Sequence, residues 1–330
     1  MKKVIVISGI TGMTGNELAR QLLKKGYIVV GFDNFFASSK DSINDLLENN
    51  DFFFFEYDLN SSQEMAQLKW FIKDTFIEND ISFINCAAVV HTKHFYEVDD
   101  TFNTNVLGMR SFLDMAIDLK ANSYISCSTS EVYSMESYKE GGVQEDDAIS
   151  LATAEHSQRT SYASGKLLTE FFMKDATDKN KIKGCSIRFA NVYSNDELYA
   201  EHIIPYIIDT FQKGSDITLL ENSKVNKRTF LHNYDSCSSV IALLENNEAL
   251  DGTIYNVGTV EEISIVDLVK LIANKMNIQN LEINFEGYRA SDPERRLLNV
   301  DKITNRTSWK PSITLEQGLD MCIKVKLNDV

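Results

Sequence analysis

Two residues whose chemistry suits proton transfer, Tyr162 and Lys166, lie four positions apart in a segment with a helical pattern. Side chains at that spacing share one face of a helix. A nearby ammonium group lowers the pKa of a phenol, and the resulting phenolate can take a proton from a substrate hydroxyl. A tyrosine and a lysine at this spacing also occur by chance on half-exposed helix faces, so the pair gains meaning only from a partner.

A possible partner is Thr129, which lies at the end of the apolar run Tyr124–Cys127. Three hydroxyl residues, Ser128, Thr129 and Ser130, follow that run directly. The run is typical of a strand, and we expect Thr129 to hydrogen-bond the same substrate hydroxyl as Tyr162.

A glycine-rich turn follows the first apolar run, Val4–Ser8, and leads into a helical pattern. Its glycines permit a tight turn at Gly9, close approach of the backbone to a pyrophosphate at Gly12, and close helix packing at Gly15. The helix N-terminus adds amide donors and the positive end of a dipole for phosphate groups. The predicted dinucleotide site also takes in the other turn residues, Thr11, Met13 and Thr14. The alternative is a glycine-rich turn that binds nothing.

Acidic and small residues end the next three strands of the pattern. Asp33, followed by Asn34, can accept hydrogen bonds from an adenosine ribose and would repel a 2′-phosphate, which favours NAD over NADP. The pairs Asp58-Leu59 and Ala87-Ala88 follow the third and fourth strands. Ligands bind at the carboxyl ends of strands in parallel sheets, and the alanines leave room for a dinucleotide there. Tight core packing is the alternative explanation for the alanines.

Short β-branched or aromatic runs alternate with amphipathic helical stretches up to about Arg188. The strand candidates are Val4–Ser8, Ile28–Phe32, Phe52–Tyr57, Ile81–Asn85, Tyr124–Cys127 and Gly184–Arg188. The helical patterns are Thr14–Lys25, Gln63–Phe76, Thr101–Leu119 and Tyr162–Lys174. This alternation predicts an α/β protein with a Rossmann doubly wound parallel sheet. The run Phe52–Phe55 also fits a helix, but its length and the preceding Asn49-Asn50-Asp51 turn favour a strand.

The regular alternation of strands and helices ends after Arg188. A helix near Ile203–Phe211 and a strand near Ile217–Leu220 then precede mixed elements. We therefore predict a smaller mixed α/β C-terminal domain. The Rossmann domain would comprise residues 1–188 and about 230–258, and the second domain residues 189–229 and 259–330.

Composition excludes several classes of protein. The 330 residues are 43% hydrophobic and 25% charged, which is ordinary for a globular protein and not for a disordered one. A net charge of −15 would repel nucleic acid. We find neither a run of the roughly 20 apolar residues that a membrane span needs nor a signal peptide, so we expect a cytoplasmic protein. The five cysteines are far apart in sequence, and neither a metal site nor a disulfide framework is expected.

Motifs over nearly the whole chain resemble those of the extended short-chain dehydrogenase/reductases, specifically the nucleotide-sugar epimerase/dehydratase family. Besides the segments above, the resemblance is carried by Asn105-Val106-Leu107-Gly108, Arg188-Phe189-Ala190-Asn191-Val192-Tyr193, Arg228-Thr229-Phe230-Leu231-His232-Asn233-Tyr234-Asp235, Arg289-Ala290-Ser291-Asp292 and Trp309-Lys310-Pro311. In the second of these, Ser194-Asn195 stand where the family has Gly-Pro.

The resemblance implies that the Rossmann domain holds NAD and that the second domain binds a nucleoside-diphosphate sugar. Tyr162 would then be the catalytic base, and Thr129 would align the substrate hydroxyl. Lys166 would orient the nicotinamide ribose and tune Tyr162, so that both residues also belong to the cofactor site. Asn105 joins the cofactor site by the same resemblance.

The resemblance also implies the substrate contacts and the assembly. Asn191, Arg228 and Arg289 would contact the diphosphate, since guanidinium groups suit phosphate oxygen atoms. His91 follows the fourth strand where the family places sugar-contacting residues, although a solvated loop histidine is the simpler explanation. A homodimer would form through the helices Thr101–Leu119 and Tyr162–Lys174.

The reaction type depends on the residues beside Thr129. Members of this family begin by oxidising the sugar 4-hydroxyl to a ketone. Dehydratases of the thymidine-diphosphoglucose type have Asp-Glu next, whereas this chain has Ser130-Glu131, as do uronate decarboxylases and GDP-mannose dehydratases. Glu131 is therefore a candidate base, unless it is a solvated or salt-bridged carboxylate. The sequence favours an epimerase. It leaves open a 4,6-dehydratase or uronate decarboxylase using Glu131, a net 4-dehydrogenase, and a non-catalytic NAD-sensing protein.

Overall fold

The computed structural model describes residues 2–76, 78–90, 96–133, 139–158, 160–197, 199–289 and 292–328. Its strands are β1 (Val4–Ser8), β2 (Ile28–Asp33), β3 (Phe52–Glu56), β4 (Ile81–Asn85), β5 (Ser123–Thr129), β6 (Lys183–Phe189), β7 (Val192–Tyr193), β8 (Ile217–Leu219), β9 (Lys227–Thr229), β10 (Leu231–His232), β11 (Asp251–Val257), β12 (Glu262–Ser264), β13 (Ile283–Phe285) and β14 (Arg295–Arg296). Its helices are α1 (Met13–Lys24), α2 (Ser62–Thr75), α3 (Val98–Asp100), α4 (Met109–Asp118), α5 (Thr160–Asp178), α6 (Ile203–Gln212), α7 (Asn233–Leu244), α8 (Ile265–Lys275), α9 (Asp301–Thr307) and α10 (Leu315–Asn328).

A seven-stranded parallel sheet in the order β11-β6-β5-β4-β1-β2-β3 forms the core of the molecule. Every residue of β1 is buried, as expected for a central strand that is covered on both faces. The Phe52–Phe55 run lies in β3, so the prediction of a strand there is confirmed. This order places the ends of β1 and β4 side by side at the point where the chain reverses direction across the sheet, which is where such sheets bind ligands.

Helices cover both faces of the sheet. One face packs against the buried sides of α1 and α7, and the other packs against α2, α4 and α5. This is the doubly wound arrangement that alternating strands and helices predicted, and the predicted fold class is confirmed. Among the described residues, no helix is long and apolar enough to cross a membrane.

The remaining elements form a smaller unit around a separate apolar cluster. This cluster is built from α6, α8 and α10 together with β8 and neighbouring residues. The strands form a three-stranded sheet, β12-β9-β14, and two strand pairs, β13-β8 and β10-β7. Asp235 in α7 joins the two parts of the molecule, because its carboxylate accepts hydrogen bonds from the backbone amides of Ser312 and Ile313.

The predicted helix Thr101–Leu119 differs in detail from the observed one. Its first part, Thr101–Gly108, is a π-helix that continues directly into α4. Hydrophobic periodicity does not reveal so local a change of winding, which is found most often at functional sites. Here the widened turns pack against α5, and a Cβ atom on Gly165 would lie 3.3 Å from Val106.

Candidate active site

The turn after β1 is tight in two places. Gly9 has a φ of +70°, and a Cβ atom there would lie 2.7 Å from the backbone of Ala87. A Cβ atom on Gly15 would lie 2.2 Å from the carbonyl oxygen of Gly9. Larger side chains at either position would therefore separate α1 from the sheet.

Gly12 differs from Gly9 and Gly15, because neither its backbone conformation nor packing requires a glycine there. It adopts an extended conformation with φ −70° at the N-terminus of α1, which any residue can adopt. A Cβ atom there would meet nothing closer than 3.4 Å, the distance to the carbonyl oxygen of Gly9. Packing therefore leaves room for a side chain at Gly12. Room at the amino end of a helix is what a pyrophosphate group needs, and the turn fits a dinucleotide.

Asp33 is held at the end of β2 by the same turn. Its carboxylate accepts hydrogen bonds from the backbone amides of Thr11 at 3.1 Å and Phe35 at 2.9 Å. Each carboxylate oxygen has a second lone pair, so the group can still accept a bond from a ribose hydroxyl.

A cavity of about 590 Å³ opens along this edge of the sheet. It is lined by twelve of the residues predicted to bind the cofactor, namely Gly9, Thr11, Gly12, Met13, Thr14, Gly15, Asp33, Asn34, Asp58, Leu59, Ala87 and Ala88. The opposite wall comes from the C-terminal unit, where Asp196, Glu197, Tyr199 and His202 also line the cavity. Sequence reasoning missed these four residues, since nothing local connects them to the glycine turn.

Asn105 lies outside the cavity lining. In the π-helix it binds both backbone groups of Val89, accepting from the amide at 2.7 Å and donating to the carbonyl at 3.3 Å. Val89 and the alanines before it belong to the cavity wall. The geometry thus gives Asn105 the role of holding that wall in place.

Lys166 and Tyr162 lie one helical turn apart on the buried face of α5. The ammonium group of Lys166 donates a hydrogen bond to the backbone carbonyl of Cys127 at 2.8 Å. Burial lowers the pKa of Lys166, and the nearby Cys127, Cys86 and Glu170 oppose that shift. Tyr162 and Thr129, the last residue of β5, are also buried. The structure therefore places the predicted base and its lysine on the helix that packs directly against the strand carrying Thr129.

Glu131 lies in an ion pair with Arg296 of β14, whose Nη1 atom is 2.5 Å from the carboxylate. The side chain of Arg296 is 6% exposed, and its Nε atom has no hydrogen-bond partner among the described residues. The sequence predictions stopped short of Arg296, because the motif used there ended at Asp292. The arginine is 165 positions from Glu131, so no local pattern joins the two residues.

The three residues predicted to contact the diphosphate differ in their surroundings. Arg228 is buried and bound to Asp292 at 2.8 Å, while burial and the charge of Arg296 lower its pKa. Asn191 donates to the backbone carbonyl of Thr229 at 3.2 Å. Arg289 is exposed, and its backbone amide binds Asn222. His91 lies outside the described residues.

A buried ionic network lies next to Thr129 and includes its neighbour Ser128. Glu170 of α5 accepts from Arg188 of β6 through two bonds, at 2.9 and 2.7 Å, and from Ser128 at 2.6 Å. Arg188 also donates to the hydroxyl of Tyr133 at 2.5 Å. The network ties α5 to the residues on either side of Thr129. No cluster of potential metal ligands occurs among the described residues.

The doubly wound sheet and its glycine turn define an enzyme of the short-chain dehydrogenase/reductase type. The sequence profile of the GDP-mannose 4,6-dehydratase family matches residues 6–322, and the chain belongs to this family. The predicted family and the prediction that the protein is an enzyme are confirmed.

Individual relatives agree with this family. The chain is 24% identical over 328 residues to the low-salt glycan biosynthesis protein Agl12 of Haloferax volcanii, covering 98% of this chain and 99% of the relative. It is 27% identical to a UDP-N-acetyl-alpha-D-glucosaminuronate decarboxylase of Bacillus cytotoxicus, covering 98% of each. A solved UDP-glucuronic acid 4-epimerase from Bacillus cereus, in complex with its nucleotide sugar and NAD, superposes with a TM-score of 0.86 at 21% identity, covering 98% of this chain and 99% of the other.

Removing the carboxylate of Asp33 tests the cofactor site. We expect the Asp33→Ala variant to bind NAD about ten- to hundredfold more weakly, since a hydrogen bond to a charged group contributes about 1.5–3 kcal/mol. Isothermal titration of cofactor-stripped protein measures the change. Asp41→Ala is the matched control, because Asp41 lines the same cavity but binds Ser39 and Asn44 of its own turn. Unchanged NAD affinity in Asp33→Ala would contradict the assignment.

Proposed function

We propose that the protein is an NAD-dependent enzyme that inverts a hydroxyl-bearing carbon of a nucleoside-diphosphate sugar, as a 4-epimerase. The ion pair between Glu131 and Arg296 carries this choice of reaction. The NAD-bound structural relative and the glycine turn support the cofactor.

On this proposal the first step uses Tyr162, Thr129 and Lys166. Tyr162 takes the proton of the sugar 4-hydroxyl, and Thr129 holds that hydroxyl in line. Lys166 stabilises the phenolate form of Tyr162 from the next turn of α5. NAD held by the glycine turn and Asp33 would supply the oxidising power for this step.

The second step separates the possible reactions. Dehydration needs an acid and a base beside the new ketone. Epimerisation needs only that the keto sugar rotate, so that its opposite face is reduced. Ser130 has no acidic proton to give. One oxygen of Glu131 is already bound by a buried guanidinium, which favours a structural or substrate-positioning role over that of a base. These two features support epimerisation.

A uronate decarboxylase is the second candidate. Several sequence relatives are decarboxylases of UDP-linked uronates. The Ser130-Glu131 pair of this chain resembles the residues of such enzymes at the same position. A 4-keto uronate is a β-keto acid, which loses carbon dioxide without a base once its carboxylate is held out of water. The unpartnered Nε donor of Arg296 is suited to holding such a carboxylate.

The Glu131→Gln variant tests whether Glu131 acts as a base, and identification of the products separates epimerisation from decarboxylation. An epimerase should keep at least about a third of its turnover, because the amide preserves shape and a hydrogen bond to Arg296. An enzyme that uses Glu131 as a base should slow about a hundredfold or more, with 4-keto sugar and NADH accumulating. Wild type and variant are incubated with UDP-, GDP- and dTDP-hexoses and UDP-uronates, and products are identified by mass and NMR.

A second variant, Glu262→Gln, serves as the control. Glu262 forms an analogous ion pair with Arg295, the neighbour of Arg296 on β14, but does not follow Thr129 in sequence. If both variants lose turnover equally, the effect is general weakening of this sheet. A wild-type enzyme that releases carbon dioxide, or a dehydrated sugar, overturns the epimerase assignment.

We also propose a homodimer formed through the π-helix and α5. Their outer faces expose Phe102, Leu107, Leu168 and Phe171, the last to 65%. We expect wild-type protein to be dimeric by light scattering at micromolar concentration, and Phe171→Glu to be monomeric, since a buried unpaired charge opposes association. Trp70→Glu is the matched control, because Trp70 is 67% exposed on α2. A monomeric wild type would refute the proposal.

A further inference from the structure

Cys86 and Cys127 are far apart in sequence, but their Sγ atoms lie 3.8 Å from each other. Cys86 directly follows β4, and Cys127 belongs to the neighbouring strand β5, in which Ser126 lies opposite Asn85. Adjacent strands are about 4.8 Å apart. That spacing falls within the range of about 4.4–6.8 Å that a disulfide requires between its Cα atoms. A disulfide between these two residues therefore needs only small movements of the two chain segments.

The two thiols differ in reactivity. The hydrogen bond from Cys86 lowers the pKa of Cys127, and the nearby charge of Lys166 lowers it further, against the effect of burial. The same contact and burial raise the pKa of Cys86, which lines the cofactor cavity. Burial raises the pKa of Cys185 and of Cys237, the other cysteines in this core. Cys127 is thus the nucleophile of the group, and Cys86 is its partner toward the cavity.

We propose that hydrogen peroxide oxidises Cys86 and Cys127 to a reversible disulfide. Formation of this disulfide and binding of the cofactor in the cavity oppose each other. In the first step the Cys127 thiolate attacks one peroxide oxygen. The O–O bond breaks, leaving a sulfenic acid on Cys127 and a hydroxide that is protonated to water. In the second step the Cys86 sulfur attacks the Cys127 sulfur, the S–O bond breaks, and the Cys86 proton leaves with a second water.

The coupling follows from what surrounds the pair. The sulfur atoms must close from 3.8 Å to about 2.05 Å, which draws the start of the cavity wall toward β5. Ala87, the next residue of that wall, already abuts Gly9 so closely that a Cβ atom on the glycine would lie 2.7 Å away. On the other strand, the Cys127 carbonyl is the acceptor for Lys166. Closing the disulfide therefore disturbs both the glycine turn and the catalytic lysine.

Thermodynamic linkage makes the coupling reciprocal. If the disulfide form binds NAD more weakly, then bound NAD must oppose formation of the disulfide by the same factor. A dinucleotide in the cavity also covers Cys86, which is the side from which peroxide can enter. Oxidation would thus occur in molecules that have lost their cofactor and would keep them inactive.

The test uses the protein in NAD-loaded and NAD-stripped forms, each treated with hydrogen peroxide, with the intact mass read before alkylation and the peptides analysed after it. In the stripped form we expect an intact mass lower by two hydrogen atoms and a linked peptide containing Cys86 and Cys127. With saturating NAD, disulfide formation should be at least about tenfold slower, because only the small fraction of molecules without a dinucleotide then exposes Cys86 to the cavity. The oxidised protein should bind NAD at least about tenfold more weakly, and dithiothreitol should restore the affinity.

Three variants complete the test. Cys86→Ser and Cys127→Ser should each abolish the mass change, while Cys185→Ala should behave as wild type, because its thiol is buried in the same core outside the pair. Mass is read without any sugar substrate, so this result is independent of the proposed epimerase activity. Two outcomes overturn the proposal: thiols that stay reduced in excess peroxide while all variants remain folded, or a disulfide that leaves NAD affinity unchanged.

Discussion

The Tyr162→Phe variant should lose at least about a hundredfold in turnover while it keeps its NAD, as expected when a general base is removed. Tyr162 is 7% exposed, and phenylalanine fills the same buried space, so the fold should tolerate the change. The hydroxyl is the only atom removed, and on our assignment it is the atom that accepts the proton from the sugar. Turnover is measured with the substrate found by the sugar panel, and cofactor content is measured from the supernatant of denatured protein.

A second tyrosine controls for the loss of a single hydroxyl. Tyr206 of α6 donates one hydrogen bond, to the carbonyl of Thr218, in the C-terminal unit. Tyr206→Phe should change turnover by less than about threefold, because a lost exposed hydrogen bond costs about 1 kcal/mol at most and touches stability only. Near-normal activity in Tyr162→Phe would remove the proposed chemistry. Loss of bound NAD from the same variant would instead show that Tyr162 serves the cofactor alone.

Local patterns were enough to predict one side of the site. The glycine turn and the residues ending β2, β3 and β4 lie within short stretches whose strand and turn signals are strong. Parallel pairing then brings those strand ends to one edge, and the cavity lies there. Even the ambiguous Phe52–Phe55 run was correctly predicted as a strand, from its length and the turn that precedes it.

The other side of the site depends on contacts that no local pattern contains. Glu131 follows β5 but forms an ion pair with Arg296 of β14. Arg228 forms an ion pair with Asp292, which is 64 positions away in the C-terminal unit. The cysteines show the same limit. Their separation in sequence gave no sign of a pair, yet neighbouring parallel strands bring Cys86 and Cys127 into contact. Local sequence patterns predict which residues are reactive, whereas contacts between residues distant in sequence depend on tertiary packing.

The buried pair of Glu170 and Arg188 should have a large effect on stability. Each side chain is 2% exposed, and burial alone would lower the pKa of Arg188, yet the carboxylate of Glu170 outweighs burial and raises it. Removing one partner of such a pair leaves an uncompensated buried charge. We therefore expect Arg188→Met to lower the free energy of unfolding by about 3–5 kcal/mol in denaturant titrations.

The double variant Glu170→Leu/Arg188→Met gives the sharper result, because it removes both charges. It should be more stable than Arg188→Met alone, since the desolvation penalty of the orphaned carboxylate is gone.

Lys174→Ala is the matched control on the same helix: its ion pair with Asp178 is more than half exposed at both ends and should contribute at most about 0.5 kcal/mol. A loss below about 1 kcal/mol in Arg188→Met would mean that water reaches the pair, contrary to its burial. Turnover should fall in the double variant even where stability recovers, because Ser128, the neighbour of Thr129, loses the carboxylate that holds it.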